Sequence, residues 1–249
     1  MFKRIISIVL ASSVSGLASA AYSGRVFVDK NGNNQYDRGE MLLSGVSVSD
    51  GLNVVQTDKD GLFDLPGHEK ARFVFITLPS GYRSNSFYQR IDGQQSAYDF
   101  ALQTTNPKSL KVDGSHRFIH ISDTHIGDYS AQTAVDGHAA SSKDLRDYVK
   151  NEDIAFVIHT GDVCRENFAA YKSFLNNENM PSSQMFNCIG NHDLGSGAYG
   201  EEGFENFFGP AYYSFEVGNV HYIVTPMERG DGKPDFTSER IGQWLQNDL

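Results

Sequence analysis

Three short apolar runs, each ending in side chains that ligate metals, constrain this chain more than any other feature. Residues 118–122 lead into Asp123-Thr124-His125, residues 154–158 lead on to Gly161-Asp162, and residues 185–189 lead into Gly190-Asn191-His192-Asp193. Continuous apolar runs of this length are expected of strands buried on both faces. Between the first two, a helical pattern reads from Ser142 as N-cap through Leu145, Tyr148 and Val149. Between the last two, Phe168, Tyr171, Phe174 and Leu175 share a helical face. Strand, helix, strand, helix, strand implies parallel pairing, and the carboxyl ends of neighbouring parallel strands open into one crevice. Two carboxylates, an imidazole and an amide oxygen gathered there suit a divalent first-row metal. Glycines before Asp162 and Asn191 let the backbone turn sharply into each loop. Alone, an Asp-x-His or a Gly-Asp is only turn chemistry; in order, each closing its own strand, they make one metal site.

The rest of the chain sets the context. Of 249 residues 39% are apolar and 12% aromatic, enough for a packed core, which excludes wholesale disorder. The formal charge of −10 repels phosphate backbones, so general nucleic-acid binding is not expected. Residues 1–20 read as a signal peptide, with Lys3 and Arg4 first, an apolar run at 5–10 and Ala18-Ser19-Ala20 as the cleavage site. That run is too short and too broken by serines to span a bilayer, and no later segment is apolar enough. Losing Lys3 and Arg4 takes the charge from −10 to −12, and the expected location is periplasmic or secreted.

Residues 21–106 alternate short β-like runs with Gly, Asn and Asp turns, as in a small all-β sandwich. A linker near 106–109 precedes the α/β part, residues 110–249. Within it, Gly218-Asn219 marks a hairpin, and Ile241, Trp244, Leu245 and Leu249 mark a last amphipathic helix. Residues 57–61 read as a plain hairpin turn. Two cysteines cannot make a disulfide scaffold; Cys164 and Cys188 form either one disulfide or two buried thiols.

Residues 29–40 fit the spacing of a twelve-residue calcium loop. Oxygen ligands fall at Asp29, Asn31, Asn33, Asp37 and Glu40, with the Gln35 carbonyl at position 7. Position 6 is Asn34 rather than Gly, and the flanks are strand-like. Two readings therefore stand: a calcium site, or an Asn/Gly-rich hairpin without metal. With calcium, residues 21–106 are expected to fold alone.

The motifs resemble those of the calcineurin-like metallophosphoesterases: D-x-H at Asp123 and His125, G-D at Asp162, and G-N-H-[DE] at Asn191, His192 and Asp193. The resemblance spans about 115–249, and residues 22–105 resemble the β-rich N-terminal domain of some exported members. It implies an α/β/β/α-layered domain hydrolysing phosphomonoesters or phosphodiesters at a dinuclear centre of two divalent ions (Mn, Fe or Zn). Asp123 and His125 would bind the first ion, Asp162 would bridge both, and Asn191 would bind the second. The ions would acidify a bridging water, whose hydroxide attacks phosphorus. His192 would stabilise phosphoryl oxygens or protonate the leaving group, oriented by Asp193.

The family's further histidines have no counterpart after Asp193, since His221 stands in a hairpin strand. The domain is therefore expected to be incomplete at its C-terminus, its second ion left with Asp162 and Asn191. Val163-Cys164-Arg165-Glu166 lacks the tyrosine ligand of purple acid phosphatases, so no charge-transfer Fe(III) site is expected. Arg83 and Arg165 read as surface ion pairs rather than phosphate contacts, and His116, His120, His138 and His159 as structural. A competing reading is a calcium-stabilised binding or adhesion sandwich carrying an inactive phosphoesterase domain.

Overall fold

The computed structural model describes residues 21–126, 132–164, 167–180, 183–195 and 197–249. The signal-peptide reading of residues 1–20 and the reading of Arg165 fall outside them. The strands β1 (Ala21–Val28), β2 (Met41–Leu42), β3 (Ser47–Ser49), β4 (Val54–Gln56), β5 (Leu62–Pro66), β6 (Phe73–Ile76), β7 (Tyr82–Arg83), β8 (Tyr88–Arg90) and β9 (Phe100–Thr104) come first. They form one sheet in the order β2-β1-β9-β7, with β5 also on β1, and a second in the order β4-β3-β6-β8. In β5, Phe63 and Leu65 are buried between exposed neighbours, the alternation of a strand with one face inward. By contrast β6 is buried at every residue. Its Phe73 and Phe75 meet Tyr88 and Trp244, with ring centroids 5.8 and 6.5 Å apart, so alternation turns Val74 and Ile76 to the opposite face. Residues 57–61 are a turn as expected, with Gly61 at φ +68°.

After a 3₁₀ turn at Pro107–Ser109 follow β10 (Arg117–Ile121), α1 (Gln132–Asn151), β11 (Ile154–His159), α2 (Phe168–Phe174) and β12 (Gln184–Asn187). Next come α3 (Glu202–Phe208), β13 (Tyr213–Val217), β14 (Val220–Val224) and α4 (Ser238–Asp248). The expected parallel sheet is present in the order β10-β11-β12. The hairpin β13-β14 turns at Gly218, φ +61°, and lays Phe215 on Phe186 at 3.6 Å between centroids and beside Phe156 at 5.1 Å. A β-rich N-terminal region followed by a sheet-and-helix domain is the predicted layout.

Two local expectations need correction, and one helix is new. The helix before β11 starts ten residues earlier than its supposed cap: Ser142 lies buried inside α1, and Tyr148 is exposed while Val149 packs inward. The run of Gly137, Ala139, Ala140 and Ser141 before it carries no apolar period to read. Strand β10, paired among the described residues with β11 alone, has no fully buried residue; Phe118 stacks on Phe156 (4.8 Å) yet remains 48% exposed. Helix α3 was missed: it is seven residues long, and Glu201 before it makes no side-chain cap. Both cysteines are free thiols, and burial pushes Cys188 up to about 12. No helix among the described residues is long and apolar enough to cross a membrane.

One hydrophobic cluster runs through both regions. Phe87 sits 4.9 Å from Tyr213 and 5.9 Å from Phe186, and Trp244 lies against both Phe75 and Tyr212. Leu78 bridges Phe215, whose neighbour Glu216 donates its N–H to the Leu78 carbonyl at 2.9 Å. An isolated 21–106 segment would uncover Phe75 and Phe87, so the joint core argues against its folding alone. Trp244→Ala should cost about 3–5 kcal/mol. Urea unfolding followed by circular dichroism should show both regions losing structure in one transition; two separated transitions would contradict the joint core.

Candidate metal centre

The loops leaving β10 and β11 are bent by unusual backbone. Asp123, His125 and Asp162 all have positive φ, at +56°, +45° and +54°. Outside glycine such angles cost about 1–3 kcal/mol each and persist only where surroundings impose them. Here the surroundings are hydrogen bonds between loops. Asp123 N–H donates to the Gly161 carbonyl (3.1 Å), His125 N–H to that of Asp162 (3.1 Å), and Ile126 N–H to that of Val163 (3.0 Å). Gly161 and Gly190 meet back to back: a Cβ on Gly190 would fall 2.2 Å from the Asp162 nitrogen, and one on Gly161 2.7 Å from Gly190.

This backbone brings the side chains together. The ligand atoms of Asp123, His125 and Asp162 lie within 4.8 Å of one another, the one such group of His, Cys, Asp or Glu among the described residues. His125 Nε2 stands 4.0 Å from Asp123 Oδ1 and 4.0 Å from Asp162 Oδ2, beyond hydrogen-bond length. Two carboxylates and an imidazole sharing one centre are a donor set suited to a divalent ion, so the residues fit the metal predicted for them. Asn191 lies on the adjoining loop, which His192 ties down by donating its N–H to Asp162 Oδ1 at 3.0 Å.

Asp193 has another role than the one read from sequence. Its buried carboxylate accepts N–H bonds from Val163 (3.1 Å), Cys164 (3.0 Å) and Gly190 (2.9 Å), joining the second loop to the third. Burial pushes this carboxyl upward, against the three donors that hold it ionised. The carboxylate that meets the His192 ring is Asp231, with Nδ1 and Oδ2 2.9 Å apart. Sequence reasoning missed it because Asp231 sits between Gly230 and Gly232 in what reads as an ordinary loop.

His159 is structural, as expected, but close to the centre. Gly161 N–H donates to its Nδ1 (3.2 Å), so Nε2 carries the proton toward Thr124 Oγ1 (3.0 Å), which donates to the Val163 carbonyl (3.0 Å). Thr124 lies between two of the ligands, so this chain of bonds fixes their loop. His116 meets the Tyr222 hydroxyl (2.8 Å), His120 meets Thr160 (2.7 Å), and His221 lies between Glu216 and Asp248 at 3.0 and 2.9 Å. Arg83 is no surface ion pair: it donates to the carbonyls of Met180 and Asn177, and burial pulls it down.

The loop at 29–40 is wound on its own backbone. Asp29 accepts from Gly32 N–H (2.7 Å) and Asn34 N–H (2.9 Å), and Glu40 from Lys30 N–H (2.8 Å) and Asp37 N–H (3.0 Å). Asn34 takes the left-handed conformation, φ +58°, that position 6 requires. The amides of Asn31 and Asn33 both donate to Asp37 Oδ2, at 2.7 and 2.9 Å.

Comparison with family models adds what geometry alone cannot. Residues 116–245 match the calcineurin-like phosphoesterase model, and residues 30–105 match the model for the N terminal of calcineurin-like phosphoesterase. No curated protein matches the chain. A parallel sheet whose loops gather two aspartates and a histidine carries a candidate metal-binding site. The chain belongs to the calcineurin-like phosphoesterases, a family that uses divalent metal ions to hydrolyse phosphoric esters.

Burial pushes the imidazole of His159 down to about 4, from an ordinary 6.5. Between those values the unfolded chain binds the proton and the folded chain does not, so stability falls as pH drops from 6.5 toward 4, by up to about 3 kcal/mol. Urea unfolding at pH 7.0 and 4.5 should show this loss, and His159→Gln should remove most of the difference.

Proposed function

We propose that the chain is an exported metal-dependent phosphoesterase, hydrolysing phosphomonoester or phosphodiester bonds at a dinuclear centre. The observation that carries the reading is the convergence of Asp123, His125 and Asp162 on strained loops. Asp123, His125 and Asp162 would hold one Mn, Fe or Zn ion, and Asp162 with Asn191 would reach a second. When bound, such ions supply Lewis-acid charge to the phosphoryl group and lower the pKa of the attacking water. With Nδ1 held at Asp231, His192 presents Nε2 to a phosphoryl oxygen or to the leaving oxygen, as an electrostatic partner or proton donor. Asp193 and Asp162 keep the His192 backbone in register with the ligands. The ligand set argues against the competing reading of an inactive domain on an adhesion sandwich. Export rests on residues 1–20, and Ala21, directly after Ala20, pairs with Pro66 as the first residue of β1.

Hydrolysis of a chromogenic phosphodiester with Mn²⁺, beside elemental analysis, tests the centre. Asp162→Asn should lose the metal. His192→Ala should keep it and turn over about 10²–10⁴-fold more slowly. Loss of metal in His192→Ala, or an undiminished rate, would overturn the assignment of roles.

For the loop at 29–40 the calcium reading is favoured by Asp29 and Glu40, buried carboxylates at the first and twelfth positions. Calcium at 100 times its dissociation constant should stabilise the fold by about 2.7 kcal/mol, seen as a higher melting temperature that Glu40→Ala abolishes. An unchanged melting temperature in the unaltered chain would leave the loop as a plain turn.

A further inference from the structure

The Asp231 that holds the His192 ring belongs to no regular element; it lies in the connection between β14 and α4. A carboxylate on such a segment orients an imidazole only if the segment is itself fixed. Two sets of contacts fix it. The first is local: Asp231 N–H donates to the Asn191 carbonyl at 2.9 Å. Gly230 and Gly232 are pressed so closely on the loop of Asn191 that a Cβ would fall 2.3 Å from the Asn191 oxygen and 2.2 Å from that of Gly195. Further on, the Lys233 carbonyl accepts Gly200 N–H at 2.8 Å, and Asp235 N–H donates to the Glu201 carboxylate at 3.0 Å.

The second set reaches into the other domain. Arg72, directly before β6 of the sandwich, puts Nη1 2.9 Å from Asp235, Nη2 2.6 Å from Glu201 and Nε 2.9 Å from Glu205. Its guanidinium also covers the ring of Tyr199, 4.2 Å from the centroid. Glu201 and Glu205 are buried, so they depend on this partner; carboxylates taken from water without a counter-charge are strongly unfavourable. The rigid planar fork fixes the directions in which three carboxylates are held, which the compact, rotatable donors of an ammonium do not. Three residues separate Asp231 from Asp235, and Pro234 among them limits the backbone.

We propose that Arg72 is a positioning residue for His192: through Asp235 and Glu201 the N-terminal sandwich holds the 230–235 loop, and so Asp231, at the ring that serves the phosphoryl group. The accessory domain is then a working part of the active site. The kinetic consequence rests on the function proposed above for His192; the structural one does not.

Two arms test this on the full chain. In the first, nitrogen NMR of the His192 side chain at pH 8 without metal should show Nδ1 protonated as one tautomer. Asp231→Ala should replace it by a tautomer mixture. Asp235→Asn, which leaves both buried glutamates on Arg72, should shift the spectrum part of the way, and Arg72→Lys further. His192 signals identical to those of the unaltered chain in both of the last two variants would overturn the proposal, whatever the hydrolytic activity. In the second arm, Asp235→Asn should lower kcat roughly tenfold with KM and metal content unchanged, the size expected for an outer partner of a site residue. Placed on His192→Ala, the same change should have no further effect on the rate. Equal losses in both backgrounds would mean that the clamp is structural only. A His192→Ala chain of full activity would instead defeat the reading of His192, leaving the NMR arm to decide on Arg72.

Discussion

The candidate metal centre depends on three loops holding one another, two of them in backbone conformations that neither would adopt alone. Left-handed Asp123, His125 and Asp162 are maintained by inter-loop N–H bonds, by the contact of Gly161 with Gly190 and by the Asp193 carboxylate, which ties the second loop to the third. Strain of about 1–3 kcal/mol per residue must be offset by that mesh. The return is position: two acids and an imidazole facing one point before any ion arrives, so less ordering is left to oppose binding.

Behind the loops, packing makes the two regions of the chain a single body. Strand β6 belongs to the sandwich by its hydrogen bonds, yet Phe75 belongs equally to the core around Trp244. The polar contacts cross at the same seam, where Arg72 joins Glu201, Glu205 and Asp235. A domain attached in this way is no passenger on a flexible tether. Its displacement would uncover aromatic surface and leave buried carboxylates without a counter-charge, two costs that act together.

The same organisation explains why support for the centre is layered. Asp162 both offers an oxygen toward the metal site and accepts the His192 N–H. His159, neutral and buried, steadies Thr124 between two ligands, while Tyr171 packs edge-on against its ring at 5.5 Å. Polar groups in a dry setting hold direction better than they would in water, provided that each is satisfied.

Much of this was written locally in the chain. The parallel order of β10, β11 and β12, the hairpin at Gly218 and the candidate cluster of Asp123, His125 and Asp162 were all legible, because period, turn chemistry and motif spacing are properties of consecutive residues. The extent of α1 was not, since small residues carry no period, nor was α3, which lacks a cap. What only the tertiary structure decided is pairing at a distance. His192 took Asp231, 39 positions along, instead of its neighbour Asp193, and Arg72 took three acids more than a hundred residues away. Adjacent side chains in these tight loops point apart, so Asp193 turns inward to the backbone while His192 turns outward. A charge with no local signature finds its partner only when the core closes around it.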